Sequence, residues 1–542
     1  MNWQLLNIDN YQQYMQQYSI HSLLAKLFAC KQYQDEQIKN QLSKRLIYHD
    51  FSLFLDADLA LDRINEAIEN DEQICIYGDY DCDGILATTI LVQAFLELGK
   101  KVGYHIPNRF KDGYGLNTKR VQEMYDKGYS LIITVDNGIK AYEAIELANE
   151  LGIDVIVVDH HDYDELPDAC AIIHTKLSPD YPFKEICGGF LAYKLASTIL
   201  NKHDKYLFSL AAITTVSDMM PLEDENKALV KRALLFMQEE KFLQLELLLG
   251  ENQRYNTTSI GFNIAPKINS FGRLPEEINP NYLVKYFLKD VDEKYALKIA
   301  NEAKRINTKR QSLTNEQYKN ILDNNQDNEF LYCYNQEVHE GIVGLIAGKY
   351  THEYKQPSFV MSYDKDNDVY RGSARSVESL PLNKMFDDLQ DYFVQYGGHA
   401  LAGGFTVSKD KILELKEGIA TYLNDHPYSK DKQLNVIEIS LDDISIEAVK
   451  ELELLEPYGQ CNEEALFLIN NITNFTTRVL SDGKHLRLDI PLAKGNLQAL
   501  YFNCGDIKDK IKEMNNISLV GKLKINRYLN NVSINMLIED MK

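Results

Sequence analysis

The sequence predicts an α/β protein with a parallel, doubly wound sheet, then a helical connector, a second α/β domain and a C-terminal OB-like β-barrel. Short apolar runs alternate with helical patterns between about residues 51 and 225, an order typical of parallel sheets. A second alternating segment begins near residue 330. From about residue 436, several short strand-like pieces follow one another, which indicates a small barrel.

The composition limits the class of protein. A chain of 542 residues exceeds one ordinary core, and no apolar run approaches the roughly 18 residues of a membrane span. The N-terminus lacks the features of a secretory signal, and eight scattered cysteines form no Cys-x-x-Cys pair, so we expect a cytoplasmic protein without a membrane partner. The net charge of −22 disfavours nucleic acid but does not exclude it, because a local basic track decides affinity.

The predicted domain organisation has five parts. Residues 1–50 are expected to form a helical cap on the first domain, and 51–225 to form that domain. A helical region and connector should span 226–328. A second α/β domain is predicted at 329–430 and the barrel at 436–542.

The predicted strands of the first domain end on acidic and imidazole side chains. Strands are expected at 74–77, 131–135 and 155–158, separated by helices. The polar residues behind these strands, with one more at a predicted helix end, are Asp79, Asp81, Asp83, Asp136, Asp159, His160, His161 and Asp218. In a parallel sheet the strand ends converge on one crevice, so we expect these side chains to meet.

Such a cluster predicts a metal site. Carboxylates packed together raise one another's pKa unless cations intervene. Oxygen and imidazole ligands without thiolate favour two divalent cations, with Mn²⁺ preferred and Mg²⁺ possible. Two metals would activate water for attack on a phosphoryl group, so the predicted reaction is phosphoester or phosphoanhydride hydrolysis.

The motifs resemble a known family. The first domain carries YGDYDCDG, ITVDNG, VVDHH and TTVSDMMPL, which resemble the DHH phosphoesterase superfamily. The second α/β segment carries HEGIVGLIAG, GSARS and GGHALAGGF, which resemble the DHH-associated domain. With IAPKINSFGRL and LLEPYGQCNEEALF, the order of motifs is similar to that of the RecJ family of bacterial exonucleases, whose C-terminal domain is an OB-fold.

The resemblance implies a role for each predicted ligand. Asp81 and Asp83 would each hold one metal, and Asp136 would bridge the two. His160 and Asp218 would complete the second site.

Four further residues surround these ligands. His161 would face the scissile phosphate, and Asp159 would orient the histidines from outside the ligand set. Many DHH relatives have a histidine ligand where this chain has Tyr77. Whether Asp79 or a water compensates is left open.

Several residues are candidates for substrate binding. Arg109, Ser373 and Arg375 are expected to grip a terminal 5′ phosphate, because arginine matches phosphate oxygens. Lys267 and Arg273 are expected to contact the substrate along the length of its nucleic-acid strand.

Two smaller sets of candidates lie further along the chain. Gly397 and Gly398 would let the backbone approach a ligand, and His399 would bind a phosphate or the leaving group; a tight glycine-rich turn is the alternative. Four aromatic residues of the barrel are candidates for base stacking: Phe467, Tyr501, Phe502 and Tyr528. At least half of these four are expected to lie in the core of the barrel instead.

The resemblance implies a 5′→3′ exonuclease that hydrolyses single-stranded DNA in repair and recombination. Single-stranded DNA is then the expected partner, and a helicase and a single-strand-binding protein are left open. One alternative is a DHH phosphodiesterase acting on short RNA or cyclic dinucleotides, which the C-terminal segment disfavours. The other is a non-catalytic replication scaffold, which the complete set of predicted ligands disfavours.

Overall fold

The computed structural model describes residues 2–43, 46–251, 253–324, 329–335, 337–430, 433–481, 483–504, 511, 514, 516–528 and 531–542. The chain divides into two compact units. One consists of Met1–Leu46 together with Asp431–Lys542, and the other of Ile47–Lys430. Both sequence-predicted α/β segments therefore lie in the second unit.

Eighteen strands form three sheets in the described part of the chain. In chain order they are β1 (Asn2–Leu5), β2 (Ile74–Tyr77), β3 (Gly103–His105), β4 (Leu131–Val135), β5 (Asp154–Val158), β6 (Ala171–Ile173), β7 (Leu331–Asn335), β8 (Ser358–Asp364), β9 (Val369–Arg375), β10 (Gln395–Gly398), β11 (Ala402–Ser408), β12 (Gln433–Ile439), β13 (Phe467–Ile472), β14 (Thr476–Leu480), β15 (His485–Pro491), β16 (Asn496–Tyr501), β17 (Ile517–Tyr528) and β18 (Asn531–Met541).

Nineteen α-helices accompany them in the described residues, and none is long and apolar enough to cross a membrane. They are α1 (Tyr11–Tyr18), α2 (Ser22–Lys31), α3 (Asp35–Leu42), α4 (Ala57–Glu69), α5 (Cys82–Glu97), α6 (Thr118–Asp126), α7 (Tyr142–Glu150), α8 (Gly188–Ile199), α9 (Lys205–Ser217), α10 (Asp224–Glu240), α11 (Leu243–Leu249), α12 (Thr257–Ser259), α13 (Ala265–Arg273), α14 (Asn281–Phe287), α15 (Glu293–Asn324), α16 (Val343–Tyr354), α17 (Leu382–Asp388), α18 (Ile412–Asp425) and α19 (Ile446–Leu452).

The predicted parallel sheet is confirmed. Its order is β3-β2-β4-β5-β6, and all four pairings are parallel. Strands β2 and β4 are buried throughout and β5 is buried from Val155 onward, because helices cover both faces of such a sheet. The carboxyl ends of these strands therefore open at one edge.

Helix α5 is the central helix of this domain. Its residues 82–95 are buried on every side. Helices α8 and α9 pack against it in the same core as β2 and β4. Because other helices enclose this apolar helix, its position is fixed. The first turn of α5, which follows β2, is therefore fixed as well.

The second sheet of this unit has the order β10-β11-β9-β8-β7. Only β7 and β8 are parallel, and the other pairs are antiparallel. Helix α16 packs on β8 and β9. The predicted second α/β domain is thus present.

The other unit contains one eight-stranded sheet of order β1-β12-β13-β17-β18-β16-β15-β14. Alternate residues of β15 are buried, with Leu486, Leu488 and Ile490 in the core. This alternation is typical of strands with one buried face. Three of its strands, β1, β12 and β14, lie outside the strand-like pieces on which the sequence prediction rested.

The predicted N-terminal cap on the first domain is wrong for Met1–Leu46, which belong to the unit of the eight-stranded sheet. Strand β1 pairs in parallel with β12, from Asn2 opposite Gln433 onward. Helix α2 buries its apolar residues in the core of that unit, and Lys26 Nζ lies 2.7 Å from Asp443 Oδ2. A four-residue strand and a short helix carry too little pattern to reveal a partner some 400 residues away.

A buried ion pair joins α8 to α10 in the unit that contains the parallel sheet. Lys194 and Glu225 are fully buried, with Nζ 2.8 Å from Oε2. Nζ also donates to the His49 carbonyl at 2.7 Å and lies 3.8 Å from the centre of the Tyr48 ring. The Tyr181 hydroxyl donates to the other oxygen of Glu225. Each buried charge therefore has several partners, as the low dielectric requires.

We expect Lys194→Met to lower the free energy of unfolding by about 3–5 kcal/mol, because it leaves the Glu225 carboxylate buried without its cation. Urea unfolding followed by circular dichroism measures the change. Lys205→Met is the matched control, since Lys205 pairs with Glu240 at the surface and both side chains are at least 42% exposed. Its effect should stay below about 1 kcal/mol, and equal losses in the two variants would contradict the prediction.

Candidate metal centre and substrate cleft

Four of the predicted ligands meet at the open edge of the parallel sheet. His160 Nε2 lies 3.2 Å from Asp136 Oδ1, 3.7 Å from Asp218 Oδ2 and 3.9 Å from Asp83 Oδ2. They come from the ends of β4, β5 and α9 and from the first turn of α5. Residues far apart in sequence are thus brought within ligand distance of one point.

Backbone N–H groups hold the Asp83 carboxylate. Its two oxygens accept from Gly188 and Gly189, each at 2.8 Å, at the start of α8. A helix N-terminus attracts negative charge. Burial nevertheless raises the pKa of Asp83, since desolvation outweighs the attraction of His160 and these donors.

Asp136 has an unusual backbone conformation. Its φ is +61°, a value that non-glycine residues rarely adopt. The strained residue directly follows β4, and its N–H donates to the Val158 carbonyl at the end of β5. Burial, followed by repulsion from Asp83, raises the pKa of Asp136 well above its ordinary value. Strain that persists beside a charged cluster is typical of functional sites.

Asp79 and Asp81 form a further group with Asp136. Asp81 caps α5, and its Oδ1 accepts from the N–H groups of Asp83 and Gly84. Asp79 is buried, and its Oδ1 has no hydrogen-bond partner among the described residues. Burial and the charge of Asp81 raise the pKa of Asp79 well above its ordinary value. A buried carboxylate oxygen without a donor is suited to a cation.

The ligand atoms form three overlapping groups in which all atoms lie within 4.8 Å of one another. They are Asp79 with Asp81 and Asp136, Asp83 with His160 and Asp218, and Asp136 with both histidines. Asp136 is the member that adjoins both acidic sets. This is the arrangement that two adjacent cations with a bridging carboxylate require.

Asp159 fixes His161 and the backbone around it. Its Oδ1 accepts from the N–H groups of His160 and His161 and from Nδ1 of His161 at 2.7 Å. Its Oδ2 accepts from the Ile139 N–H at 3.0 Å. Burial lowers the pKa of His161, but Asp159 outweighs burial and raises this pKa to about 9. Burial instead lowers the pKa of His160 to about 4, and the neutral imidazole is the form that binds metal.

Two tyrosines support this site, and only one of them was noted in the sequence. Tyr77 is fully buried and donates to the Gly115 carbonyl, so its hydroxyl is engaged away from the ligands. Tyr114, which the sequence prediction missed, lies 3.2 Å from the His161 ring nitrogens and donates to the Asp136 carbonyl. Its position in a glycine-rich loop gave no periodic pattern by which to find it.

Two cavities adjoin the cluster. The smaller, of about 330 Å³, is lined by Asn269, Arg273 and four of the acidic ligands: Asp79, Asp81, Asp136 and Asp218. The larger, of about 700 Å³, extends toward β10 and β11. Tyr80, Arg109 and His161 line both cavities, so the two form one cleft that passes the metal ligands.

Of the four predicted substrate-binding cations, Arg109 and Arg273 line this cleft, whereas Lys267 and Arg375 are not part of its lining. The Arg109 guanidinium lies 5.3 Å from the centre of the Tyr80 ring. Arg273 is on α13 beside the acidic ligands, and burial lowers its pKa to about 10. Lys267 instead donates to the Leu248 carbonyl at the end of α11 and to Asn263. Its ammonium is committed to the fold, and a role in tracking the strand has no support from its position.

Ser373 and Arg375 lie on β9 under the start of α16. Arg375 Nη1 donates to Ser373 Oγ at 2.8 Å. A Cβ on Gly344, in the first turn of α16, would lie 3.1 Å from both side chains. The two residues therefore adjoin a helix N-terminus, which favours anions. Arg371, two residues earlier on the same face of β9, lines the larger cavity, and the sequence prediction missed it.

The glycine-rich hairpin forms the far wall of the larger cavity. Gly397, Gly398 and His399 all line it and are exposed. Gly398 has a φ of +148°, and a Cβ there would lie 2.4 Å from the Ala402 carbonyl oxygen. The hairpin thus combines a tight turn at Gly398 with glycines that line the cavity, so the two alternatives predicted for this segment do not exclude each other.

The predicted stacking residues of the C-terminal unit have different environments. Phe467 is in the core and Tyr501 packs partly against it, whereas Phe502 is exposed. The side chain of Tyr528 lies outside the described residues. The expectation that at least half are core residues fits Phe467 and Tyr501.

Three known families match consecutive parts of the chain. Residues 73–216 match the DHH family, N-terminal domain. Residues 327–425 match the DHHA1 domain, and residues 437–540 match the RecJ OB domain. The ligand cluster lies in the first match, apart from Asp218 just beyond its end, and the hairpin lies in the second.

The curated relatives include proteins named single-stranded-DNA-specific exonuclease RecJ. The protein of Bacillus subtilis is 32% identical over 496 residues, which cover 89% of this chain and 62% of the relative. The protein of Thermus thermophilus is 30% identical over 435 residues, or 78% of this chain and 62% of the relative. The chain thus spans about three fifths of the length of these two. For the protein of Escherichia coli, identity is 27% and the coverage is 96% and 95%.

Two solved structures resemble the whole chain or most of it. RecJ from Thermus thermophilus in complex with Mn²⁺ superposes with a TM-score of 0.82 at 25% identity, covering 100% of this chain and 79% of that chain. A structure of exonuclease RecJ bound to manganese gives a TM-score of 0.57 at 29% identity, covering 68% and 94%.

Gly188→Ala should weaken Mn²⁺ binding at least about tenfold, as changes beside metal ligands commonly do. A Cβ there would lie 2.6 Å from Asp136 Cβ, so Asp136 must move. Isothermal titration calorimetry measures the affinity. Gly348→Ala is the control, because that helical glycine has only 4.0 Å contacts around a new Cβ. Unchanged affinity in Gly188→Ala would refute this dependence.

Proposed function

Because the chain belongs to the DHH superfamily and carries DHHA1 and RecJ OB domains in order, we propose that it is a metal-dependent 5′→3′ exonuclease that hydrolyses single-stranded DNA. The observation that carries the proposal is the convergence of Asp83, Asp136, His160 and Asp218 on one point. The relatives named for this activity support the substrate. We assign this activity to DNA repair and recombination.

The residues fit divalent cations. Burial raises the pKa of Asp79 and of Asp136 well above the ordinary value, and repulsion from neighbouring carboxylates raises both pKa values further. Asp79 Oδ1, which has no hydrogen-bond partner in the described part of the chain, adds an unused ligand atom. Two structures of RecJ hold Mn²⁺, which supports Mn²⁺ here, with Mg²⁺ as the alternative.

Five aspartates and His160 would hold two cations. Asp79, Asp81 and Asp136 would hold one, and Asp83, Asp136, His160 and Asp218 the other. When bound, such cations polarise the phosphoryl group and supply hydroxide at neutral pH. The helix N-terminus at Gly188 keeps Asp83 in place by two hydrogen bonds.

The cleft residues position the strand. His161, held on Nδ1 by Asp159, lines both cavities and would donate to an oxygen of the scissile phosphate. Tyr114 contacts the same ring and restricts its rotation. The protein therefore fixes the donor before the strand arrives, which reduces the reorganisation needed in the transition state.

The 5′ end of the strand would lie toward the second sheet. Ser373 and Arg375 adjoin the start of α16, and Arg109 and Arg371 line the cleft. This collection of cations with a helix N-terminus suits a terminal phosphate. Gly397, Gly398 and His399 would then face the first nucleotide. A helicase and a single-strand-binding protein remain partners that only the resemblance implies.

Asp136→Asn should lower cleavage of single-stranded DNA at least about 100-fold, a barrier increase of about 2.7 kcal/mol, because it weakens the shared ligand. Digestion of end-labelled strands of both polarities, with duplex DNA and short RNA alongside, measures activity and specificity. Binding of a long strand, measured by fluorescence anisotropy, should be retained.

Asp290→Asn is the control for that variant, since Asp290 is exposed and lies outside the cleft lining. It should leave cleavage unchanged. Full activity of Asp136→Asn would remove the two-cation assignment. Preferential digestion of short RNA by the wild-type protein would favour the phosphodiesterase alternative.

Arg109→Ala should slow digestion of 5′-phosphorylated strands about tenfold and leave 5′-hydroxyl strands nearly unaffected, because a hydrogen bond to a charged group is lost only in the first case. Comparison of kcat/KM on the two substrates measures the difference. Arg232→Ala, at an exposed arginine of α10 that packs on Phe236, is the control. An equal loss on both substrates would argue against a terminal clamp.

A further inference from the structure

Asn269 lines the smaller cavity from α13, although it is neither charged nor a predicted metal ligand. Its Oδ1 accepts from the Cys82 N–H at 2.7 Å. The first N–H groups of a helix have no partner within that helix. At the start of α5, Asp81 Oδ1 accepts from the N–H groups of Asp83 and Gly84. Asn269 supplies the acceptor for Cys82, which lies between two of the predicted ligands.

The hydrogen bond to Cys82 fixes the orientation of the Asn269 amide. A backbone N–H requires an oxygen acceptor, so Oδ1 faces Cys82 and Nδ2 points away from it. Asn269 is half-buried, and no residue in the described part of the chain accepts a hydrogen bond from its Nδ2. The two N–H bonds of this amide are therefore available to a ligand in the cavity that the residue lines.

Helix α13 packs closely on the turn that carries the first ligands. A Cβ on Gly272 would lie 2.2 Å from the Tyr80 carbonyl oxygen, so only glycine permits this approach. Asn269 and Gly272 are three residues apart and share one face of the helix. The contact at Gly272 and the hydrogen bond from Cys82 thus hold the Asn269 amide at a fixed distance from the ligands.

A second donor lies about one helical turn further along α13. Arg273 lines the same cavity, and its Nη1 donates to the Gly341 carbonyl at 3.3 Å. No carboxylate in the described part of the chain forms a salt bridge with its guanidinium. Helix α13 therefore presents one neutral donor and one cationic donor to the cavity, and both suit an anionic ligand.

The other residues of this cavity indicate which anion it receives. Three predicted ligands line it beside the two donors: Asp81, Asp136 and Asp218. A phosphate bound to cations that these acids hold would lie in the cavity that Asn269 lines. The non-bridging oxygens of that phosphate carry its charge, so they are the acceptors that a free amide N–H would meet.

We propose that Asn269 Nδ2 donates a hydrogen bond to a non-bridging oxygen of the scissile phosphate and holds that phosphate for hydrolysis. This inference rests on the proposed function. A donor that is already in place stabilises the charge on the phosphate oxygens in the transition state without reorganisation. Oδ1 is committed to Cys82, so the same side chain fixes the start of α5 and contacts the substrate.

The test measures single-turnover cleavage, by the full chain with Mn²⁺, of 5′-phosphorylated single strands that carry one phosphorothioate at the first internucleotide bond. Each diastereomer places sulfur, a weak hydrogen-bond acceptor, at one of the two non-bridging positions. Wild type should cleave the diastereomer with sulfur facing Asn269 about tenfold more slowly than the all-oxygen strand, which corresponds to about 1.4 kcal/mol. In Asn269→Ala this slowing should fall to about twofold or less, because no hydrogen bond remains to be lost.

Asn269→Asp is the second variant, because its carboxylate keeps an acceptor for the Cys82 N–H but has no donor. It should lose the slowing in the same way, and melting followed by circular dichroism checks that both variants are folded. A purely structural role through Cys82 would instead slow all strands equally and leave the effect of sulfur unchanged. The other diastereomer is an internal control, and its rate relative to the all-oxygen strand should not change.

Asn263→Ala is the matched control, because Asn263 donates to the Leu249 carbonyl and lies outside both cavity linings. It should keep the tenfold slowing. A slowing that stays tenfold in the Asn269 variants overturns the inference and leaves the proposed function intact. So does a wild type that cleaves both diastereomers as fast as the all-oxygen strand. If wild type cleaves none of the strands, the proposed function fails, and this inference fails with it.

Discussion

The constraint on which the site depends is the burial of several carboxylates at one sheet edge. Asp79, Asp83 and Asp136 are each at most 3% exposed, and burial is the largest cause of the raised pKa of each. Water solvates such groups poorly, so the protein must supply donors or cations. Donors reach Asp83 through α8, whereas no described residue donates a hydrogen bond to Oδ1 of Asp79. The fold thus concentrates buried negative charge that divalent cations would neutralise.

This constraint explains features that stability alone would not select. Gly188 must lack a side chain, because a Cβ there would meet Asp136 at 2.6 Å. Asp136 accepts a φ of +61° so that its carboxylate reaches the cluster while its N–H bonds to β5. Both compromises cost folding free energy. The buried helix α5 and the Lys194 ion pair surround the site with rigid elements that maintain these positions.

The parts of the fold and of the site that follow from local sequence patterns could be predicted. Strands β2, β4 and β5 follow from short apolar runs, and the acids behind them follow from the geometry of parallel sheets. Contacts without a local pattern were missed. The four residues of β1 find their partner in β12, Lys267 is engaged by the end of α11, and Tyr114 reaches His161 from an irregular loop. Each depends on tertiary packing, which periodicity does not encode.

The strongly acidic composition also has a place in this picture. A net charge of −22 repels a polyanionic strand unless local charge is reversed. Arg109 and Arg273 supply cations along the cleft, but the ligand cluster itself is acidic. A phosphate can approach that cluster only after its charge has been balanced. For the proposed exonuclease, the same carboxylates therefore impose an order, in which divalent cations bind before the scissile phosphate, and a cluster without cations disfavours the strand at that position.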